Sequence, residues 1–112
     1  MSDSCIFCKI IGSVFKTELL FSSRNSSAFY DISPQAPTHI LIVPNNHVSK
    51  ISDLSSEQVA DLFLAAAEIG ERLEPRERGF RLVINQGRDA GQEVEHLHIH
   101  VLAGRQFQWP PG

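Results

Sequence analysis

The chain has 112 residues, which fits one domain with a small closed core. Hydrophobic residues make up 42% and charged residues 21%, the balance of a globular domain, and no stretch nears the roughly 20 apolar residues of a membrane-spanning helix. The net charge of −3, with scattered lysines and arginines, gives no electrostatic basis for nucleic-acid binding.

The start, MSDSCIFCKIIG, has Asp3 and no basic residue ahead of its apolar run, which Lys9 interrupts. No secretory leader is expected, and a reducing, cytoplasmic setting is, or a nuclear one in a eukaryote. There, Cys5 and Cys8 suit free thiols or metal ligands better than a disulfide. Two short apolar runs split by SSRNSS predict a hairpin, with strands near 18–22 and 27–31. Pro34 and Pro37 stiffen the following loop. HILIVP is a strand closed by Pro44. SSEQVADLFLAAAEIGERLEP is a helix: Val59, Leu62, Phe63, Ala66, Ile69 and Leu73 keep the 3.6-residue period. Ser55 and Gln58 can form a capping box, Pro75 stops the helix, and Arg72, Arg76 and Arg78 read as its solvated end. FRLVIN is a strand, QGRDAGQEVE a glycine-bearing loop, HLHIHVL a final strand and GRQFQWPPG a tail. The class is α+β, without repeats or linkers.

Three of the five histidines fall within five positions, at His96, His98 and His100. Alternate residues of a strand share a face, so the three imidazoles line one side and Leu97, Ile99 and Val101 the other. A half-exposed strand ordinarily turns Thr, Lys or Glu to water. An all-imidazole face points to chemistry, either a metal site or nucleophilic catalysis by one ring with its neighbours holding the developing charge. Spacing does not separate the two. Cys5-Ile6-Phe7-Cys8 places two thiols within reach of one tetrahedral ion, although a buried thiol pair or a redox pair has the same spacing. Asp31, ahead of the proline-stiffened loop, suits either a loop cap or a pair of ribose hydroxyls.

The His-apolar-His-apolar-His-apolar-apolar run resembles the signature of the histidine triad superfamily of nucleotide hydrolases and transferases. DISPQAPTHILIVP and GRQFQWPPG are similar to its nucleotide-binding phosphoramidase branch, and the likeness runs from about Cys5 to Gly112. The resemblance implies a single domain over 1–112. It implies a five-stranded antiparallel sheet with one long helix and a short N-terminal helix, paired in a homodimer into a ten-stranded sheet. It implies hydrolysis of a purine nucleoside 5′-phosphoramidate through a covalent nucleotidyl-histidine. His98 matches the nucleophile. His100 matches the residue that steadies phosphate oxygens and leaving group, and His39 a supporting histidine. Asp31 matches the ribose grip, and Phe7, Ile10, Phe29 and Ile32 the purine pocket. Asn85, Gly91, Gln92 and Val94 match the phosphate loop, where a glycine lets backbone N–H groups come close. Trp109 matches a tail residue that reaches the partner's site.

In zinc-carrying relatives two such cysteines join a mid-chain histidine and the first triad histidine. That implies Cys5, Cys8, His47 and His96 as a structural zinc site, one per chain, leaving His98 metal-free. Glu93 stands where many phosphoramidases carry serine, which puts leaving-group preference in question. The expected partners are purine nucleoside monophosphates and phosphoramidates, with neither nucleic acid nor membrane. Three rival readings are a metal-dependent hydrolase, a nucleotide-binding zinc scaffold with little catalysis, and a dinucleoside polyphosphate hydrolase.

Overall fold

The computed structural model describes residues 4–12 and 18–112. Asp3, on which the reading of the N-terminus leans, lies outside them. The elements are α1 (Ile6–Ile11), β1 (Phe21–Ser22), β2 (Ser26–Tyr30), β3 (Thr38–Pro44), α2 (Ser56–Glu71), β4 (Arg81–Ile84) and β5 (Ile99–Ala103). Short 3₁₀ turns occupy Ile51–Asp53 and Arg76–Arg78. The strands form one antiparallel sheet in the order β1-β2-β3-β5-β4. This is the expected α+β architecture of five strands, one long helix and a short N-terminal one.

Strand alternation divides the apolar residues between two faces. Ala28, Ile40, Ile42, Ile99 and Val101 pack with Leu62, Ala65 and Ala66 of α2. Phe29, Leu41 and Val43 point the other way and pack with Cys5, Phe7, Cys8 and Ile10 of the α1 segment. The register sets His100 beside Leu41 on β3 and Val83 on β4, so the histidines share the α1 face. The long helix therefore builds the core, and the short one leaves room beside the imidazoles.

The capping box forms as expected: the Ser55 side chain accepts from the Gln58 N–H, and the Gln58 side chain accepts from the Ser55 N–H. The burial stripe is narrower than the sequence suggests. Leu62, Ala65, Ala66 and Gly70 are buried, whereas Phe63 is 40% exposed. A Cβ at Gly70 would overlap the Phe80 ring, so the packing of that ring on α2 needs a glycine there.

Two strand boundaries differ from expectation. β1 is only two residues long, although Leu20 still donates to the Ala28 carbonyl. β5 starts at Ile99 rather than His96. Beyond the Ile42–Ile99 pair the strands part, because the Leu97 N–H bonds the Val48 carbonyl and the His96 Nε2–H takes the Pro44 carbonyl. The three histidines stay on one side of the sheet, but His96 and His98 precede the regular ladder.

Candidate active site

A cavity of about 630 Å³ opens on the α1 face, within the usual range for a small-molecule site. Phe7, Ile10, Phe29 and Leu41 make its apolar floor, and Ile32, 91% exposed, stands at its mouth. Asp31, Ser33, Gln35 and His39 enter from the β2–β3 loop and the start of β3, and Asn85, Gly91, Glu93 and Val94 from the β4–β5 loop. His98 and His100 complete the lining.

The hydrogen bonds fix which nitrogens carry protons. His98 Nδ1 lies 2.7 Å from the His96 carbonyl oxygen. A carbonyl only accepts, so Nδ1 bears the proton and the neutral ring keeps a free lone pair on Nε2. Phe7 meets that ring edge-on at 5.1 Å between centroids and holds its plane. The buried His98 side chain thus has its neutral-ring tautomer and its orientation set, as a nucleophile requires.

A second chain begins at Gln35, whose N–H donates to His39 Nδ1 at 3.0 Å. His39 therefore carries its proton on Nε2, which lies 2.8 Å from His100 Nδ1 and 3.4 Å from an Asp31 carboxylate oxygen. Donation to His100 Nδ1 leaves the proton of His100 on Nε2. That nitrogen is buried and has no partner among the described residues. An orphaned buried donor is costly, and because His100 lines the cavity, an acceptor oxygen bound there would satisfy it. Burial, aided by the nearby His98 and His39, lowers the His100 pKa to about 4, so the ring is neutral near pH 7. Burial also lowers His39, against the pull of Asp31. The other Asp31 oxygen accepts from the Ser33 N–H at 2.8 Å. Asp31 thus caps its loop, and its carboxylate also lines the cavity.

The third cluster lies behind Phe7. His96 Nδ1 is 3.4 Å from Cys5 Sγ and 3.6 Å from Cys8 Sγ, and His47 Nδ1 is 3.4 Å from Cys8 Sγ. The four donor atoms lie within 4.8 Å of one another. A tetrahedral zinc with Zn–S of about 2.3 Å and Zn–N of about 2.0–2.1 Å sets its S···N edges at roughly 3.5 Å, so the three measured distances fit a closed Cys₂His₂ site. The Pro44 carbonyl holds the His96 proton on Nε2, at 2.8 Å, and turns the Nδ1 lone pair to the sulfurs. Burial pushes the His96 pKa down to about 4, despite that carbonyl. His47 is the least buried of the four.

The remaining expected residues divide. Asn85, Gly91 and Val94 line the cavity, and Gly91 takes the left-handed φ of +86° that a side chain would strain. Gln92 does not: its side chain braces the loop, accepting from the Gly87 N–H and donating to the Ser49 and Val94 carbonyls. Its role is the shape of the loop rather than contact within the cavity. Trp109 is 82% exposed and does not line the cavity of its own chain. Leu41 and Gln35 join the site unforeseen. Leu41 was legible as the i+2 neighbour of His39, whereas only the folded loop brings the Gln35 N–H to His39.

The HIT domain family model matches residues 13–107. A purine nucleoside phosphoramidase of Escherichia coli K12 is 42% identical over 108 residues, covering 94% of this chain and 91% of its own. The crystal structure of a HIT family hydrolase from Legionella pneumophila Philadelphia 1 superposes with a TM-score of 0.90 at 43% identity, covering 97% of this chain and 100% of its own. A zinc-bound histidine triad family protein from Mycobacterium smegmatis superposes at 0.82 with 28% identity, over 91% of this chain and 76% of its own. On the match over residues 13–107, the 42% identity and the superposition, the chain belongs to the HIT domain family.

Proposed function

We propose that the protein is a purine nucleoside phosphoramidase that cleaves the P–N bond of nucleoside 5′-phosphoramidates through a nucleotidyl intermediate on His98. The observation that carries this reading is the His98–His96 carbonyl bond, which places the proton of the neutral ring on Nδ1 and so leaves the Nε2 lone pair for the cavity. The similarity to a purine nucleoside phosphoramidase supports the substrate class. In the first half, Nε2 forms a bond to the α-phosphorus as the bond to the amine breaks, and the amine takes up a proton as it leaves. In the second half, water attacks phosphorus, the His98–phosphorus bond breaks, and the nucleoside monophosphate departs. One water is consumed: its hydroxyl ends on phosphorus, and its remaining proton replaces the one the amine took. His100 Nε2–H, the orphaned donor, steadies the phosphoryl oxygens, where preorganised donors matter most. Asp31 grips the ribose hydroxyls, and Phe7, Ile10, Phe29 and Ile32 hold the purine.

Zinc fits the Cys5, Cys8, His47 and His96 set as a structural ion, and a zinc-bound relative supports that assignment. Its chemistry here is cross-linking: it ties α1, with Phe7 and Ile10, to His96 and to His47 beyond β3. We place the protein in a homodimer through β4, an edge strand with one side unpaired, and Trp109 acts in the partner's cavity. A cytoplasmic location fits the reduced cysteines. The test is release of the amine from an adenosine 5′-phosphoramidate. Multiple turnover supports the reading, and binding of adenosine monophosphate without turnover would replace it with a nucleotide-binding scaffold.

A further inference from the structure

Among the described residues the charge of the cavity is one-sided: two carboxylates line it, Asp31 and Glu93, and no described lysine or arginine does. Asp31 is committed to the Ser33 N–H and to His39. Glu93 is exposed and makes no hydrogen bond or ion pair among the described residues. The two come from different loops, Asp31 after β2 and Glu93 between β4 and β5. Gly91 and Val94 flank Glu93 in that lining, and Asn85 joins them from the end of β4. A nucleoside phosphoramidate already brings a negative phosphoryl group. An unpaired carboxylate in the same cavity repels any further negative charge and leaves a place for one positive charge.

We infer that Glu93 selects the leaving group, favouring nucleoside phosphoramidates whose departing amine carries a second, cationic nitrogen. The inference rests on the phosphoramidase reading above. Displacement at phosphorus places the departing nitrogen in line with the attacking atom, on the far side from His98 Nε2. With the nucleoside held from the Asp31 side, the departing group extends along the β4–β5 loop. An ammonium there pairs with Glu93, whereas a carboxylate or polyphosphate meets a like charge. Glu93 is exposed, so the effect is that of a half-solvated ion pair rather than a buried one.

Three adenosine 5′-phosphoramidates test this: those of 1,3-diaminopropane, which keeps a free ammonium, of n-butylamine, which is neutral, and of β-alanine, which carries a carboxylate. The readout is kcat/KM for the wild type, Glu93→Gln and Glu93→Lys. Comparing each compound across variants cancels its intrinsic reactivity. The wild type should favour the cationic over the neutral compound by roughly twofold to fivefold, and the neutral over the anionic similarly. Higher ionic strength should compress that range. Glu93→Gln should bring all three within about twofold, and Glu93→Lys should reverse the order. An order that Glu93→Gln leaves unchanged, or a wild type indifferent to charge, overturns the role of Glu93 while the phosphoramidase reading stands. Failure of the wild type to hydrolyse any of the three overturns that reading and this inference with it.

Discussion

Serine at both Cys5 and Cys8 should loosen the N-terminal helix and weaken nucleotide binding while sparing the chemical step. α1 has six residues, too few to persist alone. Fixing its backbone costs about 6–12 kcal/mol. Its three buried side chains, Phe7, Cys8 and Ile10, return about 5–8 kcal/mol. The segment is therefore near balance, and a zinc ion held by the Cys₂His₂ set, as proposed, would decide whether it stays down. A ligand at a thousand times its dissociation constant stabilises the folded state by about 4 kcal/mol. For a chain of this size each kcal/mol moves Tm by about 4 °C. Loss of zinc should thus lower Tm by roughly 16 °C. With Phe7 and Ile10 released from the cavity floor, KM should rise by about tenfold, which is about 1.4 kcal/mol of lost contact. The kcat should change less than KM, by no more than about threefold, because the His96 carbonyl still fixes the His98 tautomer when Phe7 no longer braces its ring, and His98 is not one of the four candidate ligands. Metal analysis, thermal melts and steady-state kinetics on one preparation check all three. A wild type that binds no zinc would refute the reasoning, and a collapse of kcat at constant KM would make the metal part of the chemistry.

Three other outcomes follow from the geometry. Asp31→Asn should weaken a ribonucleotide by about 1–3 kcal/mol and barely affect a 2′,3′-dideoxynucleotide; calorimetry giving equal losses would reduce Asp31 to its Ser33 cap. Burial lowers His100 from 6.5 to about 4, so between those values the unfolded chain binds a proton that the folded chain does not, and stability falls as the pH drops through that window. His100→Asn should flatten the dependence of the urea midpoint on pH there, and an unaltered slope would contradict the burial argument. Gly70→Ala gains about 1 kcal/mol of helix propensity but overlaps the Phe80 ring, so it should destabilise by about 1–3 kcal/mol net; a stabilised variant in urea denaturation would refute that packing.

Periodicity carried most of the fold. The 3.6-residue stripe, the capping box and the alternating strand residues each report a local rule, and α2, β3 and β4 lie where those rules put them. The misplaced start of β5 has a tertiary cause. HLHIHVL alternates without a break, and nothing local says that the Pro44 and Val48 carbonyls will draw His96 and Leu97 off the ladder. Phe63 keeps the helical period yet stays 40% exposed, because the sheet meets α2 along Leu62, Ala66 and Gly70. At the site, His98, His100 and Asp31 stood out by residue type and spacing, and the zinc set came from the family resemblance. Gln35 was illegible because it acts through its backbone N–H, which every non-proline residue has. Gln92 matched a motif position but spends its amide on the loop itself.

The most direct test of the central claim is the bond between His98 and phosphorus. A reaction with an adenosine 5′-phosphoramidate, quenched in base within the first turnovers and digested, should yield a peptide spanning His98 that is heavier by one adenylyl group. Fragmentation should place the group on His98 and not on His96 or His100. His98→Ala should give no adduct and lose at least about three orders of magnitude in kcat, some 4 kcal/mol or more. An adduct on another histidine, or normal turnover by His98→Ala, would contradict the assignment of His98 as the nucleophile.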